Sequence, residues 1–209
     1  MRADTPKQRG VLFHLFDIVL NIVIIVAIVA VIRTFVVSPF QIEGNSMVDT
    51  LENKEYIVIN KFRYIFSAPE RGDIVVFRPP TDPDKYYVKR VIGLPEDTIV
   101  IRNGYVYLRD KKRGDSKLSE PYLNAANNGS TFRFPVNSGD PGEEVFVVPS
   151  DQYFLLGDNR QGSSDSRSFG RSGPNATAFV PQENIKGSVW FVALPITKIH
   201  AFETPKYNL

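Results

Sequence analysis

The chain has 209 residues, with 25 basic and 23 acidic side chains and a formal net charge of +2. That length accommodates an anchor and one sizeable domain but not two full domains, and the even charge balance argues against the basic face that nucleic-acid binding needs. With no cysteine and only two histidines, His14 and His200, the chain has no disulfide framework, no thiolate nucleophile and no thiolate metal site.

The first element is apolar. Residues 18–32, IVLNIVIIVAIVAVI, cover about 22 Å as a helix, so Leu12, Phe13, Leu15 and Phe16 before them and Phe35, Val36 and Val37 after them must extend the span to cross a hydrocarbon core of about 30 Å. Asp17 and Arg33 then sit near opposite interfaces with their charges directed outward. Arg2, Lys7 and Arg9 precede the span and predict a cytoplasmic N-terminus by the positive-inside rule. A cleaved secretory leader also begins with basic residues and an apolar run. Here Ala27 and Ala30 form no small-x-small pair and Arg33 follows directly, which favours an uncleaved anchor. The expected organisation is a cytoplasmic N-terminus and membrane anchor over 1–37 and an extracytoplasmic domain over 38–209. The lipid bilayer is thus an expected partner, and nucleic acid is not.

A polar loop, QIEGNSMVDTL, occupies 41–51. Ser46 within it lies close to the end of the span, a place for a nucleophile held at a bilayer surface. Neither histidine is a natural member of a Ser-His-Asp triad, so a base for Ser46 is expected to be a lysine.

From Tyr56 onward the pattern is that of strands. YIVIN, DIVVF, YYVKRVIG, DTIVIR, YVYL, EEVFVV, QYFLLG and GSVWFVAL are short and rich in β-branched and aromatic residues, and Gly, Pro, Asn and Asp punctuate them. Asn103-Gly104 is a two-residue hairpin signal. No helical period is evident after Val37, and the predicted class is mainly β, a coiled or barrel-like antiparallel sheet behind one N-terminal transmembrane helix. Residues 109–144 are polar and rich in Gly, Asn and Ser, and are read as a loop-rich insertion without a catalytic role.

Lys89 lies inside the apolar strand YYVKRVIG. A lone strand lysine is more often an edge charge that blocks aggregation. Strand parity, however, puts it on one face with Tyr87 and Val91, where burial would lower its pKa toward the range of a general base. The loop GDNRQGSSDSRSFG, 157–170, is either a surface turn laced with ion pairs or a device that orients the base. In the second reading Ser163 or Ser164 supplies a hydroxyl, and Asp165, Arg167 and Arg90 tie the loop down.

These stretches in this order resemble bacterial type I signal peptidase, a membrane-bound Ser-Lys protease, over nearly the whole chain. The likeness rests on NSMVDTL, RGDIVVF, YVKRVIGLPED and GDNRQGSSDSR. It implies that Ser46 attacks the scissile carbonyl, that Lys89 takes and returns its proton, and that Ser163 orients the lysine. It also implies a substrate cleft lined by Phe40, Ile42, Met47, Leu51, Tyr87 and Val88, which accepts small side chains at the first and third positions before the cut. The expected partners are signal peptides of preproteins, bound extended at a sheet edge, with the secretion translocase nearby; no metal or cofactor is implied. Asp49 stands where a proline is usual, Glu96 replaces the glycine of GLPGD, and Gly162 replaces a frequent asparagine. Gly44 stands where some members carry a serine that helps hold the oxyanion.

Two other readings fit parts of the pattern. A LexA-type self-cleaving domain shares the dyad and sheet but brings a DNA-binding module that has no counterpart here. A tethered β module that binds peptides would leave Ser46 and Lys89 incidental. Hydrogen-bond reach between those two side chains separates the enzyme from the binder.

Overall fold

The computed structural model describes residues 10–31, 33, 37–132, 142–171, 176–205 and 207. The basic flank Arg2, Lys7 and Arg9 and the extensions Phe35 and Val36 lie outside them.

Helix α1, Val11–Val31, is apolar on every side. Among the described residues, no side chain of its span Leu12–Val31 is buried. By length and composition it can cross a membrane, its 20 residues rising about 30 Å.

The rest is mainly β, as the alternating apolar runs predict. Strands β1 (Val37–Gln41), β2 (Tyr56–Asn60), β3 (Ile74–Phe77), β4 (Tyr87–Gly93), β9 (Gln152–Leu156), β10 (Val180–Pro181), β11 (Ile185–Leu194) and β12 (His200–Ala201) form one antiparallel sheet. Its order is β1-β2-β11-β3-β4-β9-β10, with β12 beside β11. Register shifts in β11 and between β4 and β9 bend the ladder and curl the sheet. A second antiparallel sheet, in the order β7-β6-β5-β8, comprises β5 (Thr98–Arg102), β6 (Tyr105–Asp110), β7 (Gly114–Lys117) and β8 (Glu143–Val147). The Asn103-Gly104 turn joins β5 to β6 with φ +50° and +78°, the left-handed pair that a two-residue hairpin requires.

All eight expected strands are present. Two single-turn helices, α2 (Arg63–Phe66) and α3 (Ser166–Phe169), are additions to the reading. So is β7, inside the segment read as loop-rich, of which residues 133–141 lie outside the described residues.

Three apolar clusters hold the sheets. Ile57 and Ile59, alternating on β2, pack with Ile42, Met47, Leu51 and Val192. Val75, Phe77 and Val91 pack with Tyr153, Leu155 and Phe169. Ile92, Ile99, Phe154 and Leu156 join the two sheets. Strand β3 is buried along its whole length, because β11 and β4 flank it and clusters cover both its faces.

Candidate active site

The loop after β1 is fixed from below by its apolar residues. Ile42, Met47 and Leu51 are buried in the core, and Ile42 pairs with Glu55 and Lys54 through backbone bonds of 2.8 Å. Between these anchors Gly44 takes φ +95°, a conformation that costs glycine nothing, and its N–H donates to Asn53 Oδ1 at 3.1 Å. The turn lifts Ser46 to the surface of the sheet.

Lys89 stands on β4, 3 % exposed, on the face of Tyr87, whose ring centroid is 5.5 Å from Nζ. Its Nζ lies 2.6 Å from Ser46 Oγ and 2.8 Å from the Val88 carbonyl. Burial lowers the Lys89 pKa to about 8; Asp165 and Asp158 work against that shift and Arg167 adds to it. An amine so tuned is partly neutral at physiological pH and can accept a proton from the hydroxyl it touches.

The loop 157–170 secures this pair. Asp165 caps α3 through a capping box and meets the Arg167 guanidinium at 2.8 and 2.7 Å. Burial opposes the Asp165 charge, yet the Arg167 guanidinium holds its pKa below the ordinary carboxylate value. Arg90, next to Lys89 but on the opposite face of the strand, bonds Asp158 through Nε at 2.9 Å and Nη2 at 2.7 Å. Asp158 also accepts from Thr50 Oγ1 at 2.5 Å, and the Asn159 N–H donates to the Ser46 carbonyl at 3.1 Å. The sequence reading missed Asp158 and Asn159. The signal was available in GDN directly after an apolar strand, where Arg90 needed a partner.

Ser163 is buried near Ser46; its Oγ faces the Asp165 carboxylate but meets no partner in good hydrogen-bond geometry among the described residues. The expected contact with Lys89 is therefore not made in this structure, and Val88 O is the second partner of the amine. Gly157 explains how close the segments come. A Cβ there would collide with Ser163 Oγ and stand 2.5 Å from Ser46 O.

Ser46 and Lys89 open into a cleft of about 460 Å³ whose lining includes Phe40, Ile42, Met47, Tyr87 and Val88. Leu51 does not line it. Its side chain is wholly buried in the core, because the turn that carries Ser46 outward sends Leu51 beneath it. Tyr86, not foreseen, forms part of the wall, with its ring 5.3 Å from that of Phe40.

The profile of the family described as "Signal peptidase, peptidase S26" matches residues 15–194. Signal peptidase I of Bacillus amyloliquefaciens is 36 % identical over 198 residues, covering 95 % of this chain and 96 % of that one. Signal peptidase I S of Bacillus subtilis strain 168 is 36 % identical over 178 residues, covering 85 % of this chain and 88 % of that one. A crystal structure of a signal peptidase I from Enterococcus faecalis V583 aligns with a TM-score of 0.42 and 31 % identity, covering 58 % of this chain and 97 % of that one.

Proposed function

The chain belongs to the signal peptidase family, peptidase S26, serine endopeptidases that remove signal peptides, and from that premise we propose that it works as a membrane-held Ser-Lys enzyme with Ser46 as nucleophile and Lys89 as base. The observation that carries this reading is the 2.6 Å contact between Ser46 Oγ and Lys89 Nζ in a buried setting.

In the reactive form Lys89 is neutral. One N–H stays on Val88 O, and the nitrogen lone pair accepts the hydroxyl hydrogen of Ser46. As Oγ attacks the scissile carbonyl, the proton passes to Nζ, and the resulting ammonium delivers it to the leaving amine. Water then hydrolyses the acyl-enzyme with Lys89 as base again. The oxyanion is held by backbone N–H groups, Ser46 among them, since Gly44 has no hydroxyl and its own N–H is engaged with Asn53. Arg90, Asp158, Asp165 and Arg167 keep strand and loop in register, and Ser163, a buried hydroxyl beside the Asp165 carboxylate, turns toward the amine during the cycle.

The cleft suits an extended peptide with small side chains. Phe40, Ile42, Met47, Tyr87 and Val88 leave shallow apolar room around the dyad, and β1, at the edge of its sheet, offers backbone groups for strand addition. Helix α1 anchors the enzyme in the plasma membrane as a single pass with the N-terminus cytoplasmic, so the site faces signal peptides on the far side, close to the translocase. The test is cleavage of a preprotein with an Ala-x-Ala site by the detergent-solubilised chain. Cleavage after the last alanine, abolished in Ser46→Ala and in Lys89→Ala, supports the reading; activity surviving in either variant rejects it.

A further inference from the structure

The segment 118–132 belongs to the loop-rich insertion expected to have no catalytic role, yet its contacts run to Arg90 and Arg160. The Arg90 guanidinium lies over the Tyr122 ring, its carbon 3.8 Å from the centroid. The Tyr122 hydroxyl donates to Glu120 Oε1 at 2.7 Å, and Glu120 pairs through both its oxygens with Arg160, one of these bonds being 2.9 Å from Nη1 to Oε2. Arg160 is buried and donates onward to Thr131 Oγ1 at 2.5 Å and to the Gly157 carbonyl at 3.1 Å.

Of the two arginines, Arg90 leads to the reacting atoms. Arg90 follows Lys89 in the strand, and its two bonds to Asp158 fasten that strand to the loop whose Asn159 N–H grips the Ser46 carbonyl. Asp158 also takes the hydroxyl of Thr50, four residues beyond the nucleophile. The relative placement of Ser46 and Lys89 thus passes through Arg90 and Asp158. A guanidinium stacked on an aromatic face keeps its in-plane N–H groups free for a carboxylate, so the Tyr122 ring sets the plane in which Arg90 meets Asp158.

Resting on the Ser46–Lys89 reading above, we propose that Tyr122 is a positioning residue: its ring fixes Arg90, and through the Arg90–Asp158 pair it holds the Ser46 hydroxyl and the Lys89 amine in reach of one another. Tyr122 does not line the cleft, so its effect falls on turnover and not on peptide binding. Ring and hydroxyl are separable. Phenylalanine keeps the face under Arg90, whereas leucine removes it and stays apolar.

The experiment measures kcat and KM of the full solubilised chain on a preprotein with an Ala-x-Ala site, for Tyr122→Phe, Tyr122→Leu and the parent, with Ser46→Ala and Lys89→Ala as controls. Tyr122→Leu is expected to lower kcat about tenfold with KM within about twofold, and Tyr122→Phe to stay within about twofold of the parent in both. Unchanged kcat in a folded Tyr122→Leu overturns the proposal, as does an equal loss in Tyr122→Phe or a loss confined to KM. Should Tyr122→Leu fail to fold, Tyr122→Met removes the aromatic face with an unbranched apolar side chain and leaves the Glu120–Arg160 ion pair in place. It carries the same tenfold expectation, and unchanged kcat in it overturns the proposal equally. Cleavage by the control variants would reject the dyad itself, whereas inactive controls beside a fully active Tyr122→Leu reject only the brace.

Discussion

The Lys89 amine holds two partners at once, the Ser46 hydroxyl at 2.6 Å and the carbonyl of its own neighbour Val88 at 2.8 Å. The carbonyl accepts in either protonation state of the amine and keeps Nζ aimed. The hydroxyl reverses role, accepting from the ammonium and donating to the neutral amine. Only the second arrangement makes a nucleophile.

Turnover should therefore rise with pH. Burial sets the Lys89 pKa to about 8, so the neutral fraction grows about tenfold per pH unit below that value and levels above it. A kcat/KM profile between pH 5 and 9 checks this, and a profile flat across that range would exclude a lysine base.

Lys89→Met should abolish cleavage and yet stabilise the fold. The folded pKa of about 8 lies below the ordinary 10.5, so the unfolded chain binds the proton more tightly and the lysine is a net cost below pH 8. That cost shrinks as pH rises through the window from about 8 to 10.5. Removing the amine should add roughly 2–3 kcal/mol at pH 7 and much less at pH 10. Thermal or urea unfolding of both chains at the two pH values measures the difference; a variant less stable than its parent at pH 7 contradicts it.

Arg167→Ala should be costly in two ways. It leaves the Asp165 carboxylate, fully buried, without its counterion, a loss of about 3–5 kcal/mol and of roughly 10 °C in Tm. In the parent the Asp165 contribution is fully present above the ordinary carboxylate pKa of 3.8 and disappears as pH falls through the lower folded value. Arg167 also helps lower the Lys89 pKa, so the rising limb of activity should move to higher pH. Calorimetry and the pH profile together test this; an unshifted Tm would show that the pair is not structural.

Glu96→Gly should stabilise. Glu96 holds φ +68°, a left-handed conformation that costs an ordinary residue about 1 kcal/mol or more, while its backbone N–H bond to Val148 O at 3.1 Å survives the change. A gain of about 0.5–1 kcal/mol is expected in chemical unfolding, and a loss would mean that the carboxylate has a role of its own.

The strands were legible wherever side-chain period and turn chemistry agreed, as in YIVIN with its buried Ile57 and Ile59. Strand β1 was not, because Pro39 reads as a breaker. It lies on the edge strand β1, which pairs only with β2, where a missing N–H is tolerated. Strand β7, GDSK, has no apolar period at all and is held by pairing with β6. Within the site, elimination among residue types led only to a serine with a lysine as its base; the choice of Ser46 and Lys89 rested on the resemblance, and the 2.6 Å contact supports it. The assignment of Asp158 to Arg90 could not be reached, since 68 residues separate them and nothing local records a pairing made by the folded sheet. Leu51 was misplaced for a related reason: alternation gives facing along a strand, but a turn reassigns inside and outside residue by residue.

Gly157 carries a consequence of its own. The loop that carries Ser46 and the loop 157–170 converge on a point where even a methyl group would strike both Ser163 Oγ and Ser46 O. The centre of the machine is assembled with zero clearance, and any side chain at this position would act as a shim, prising apart parts that work only when seated.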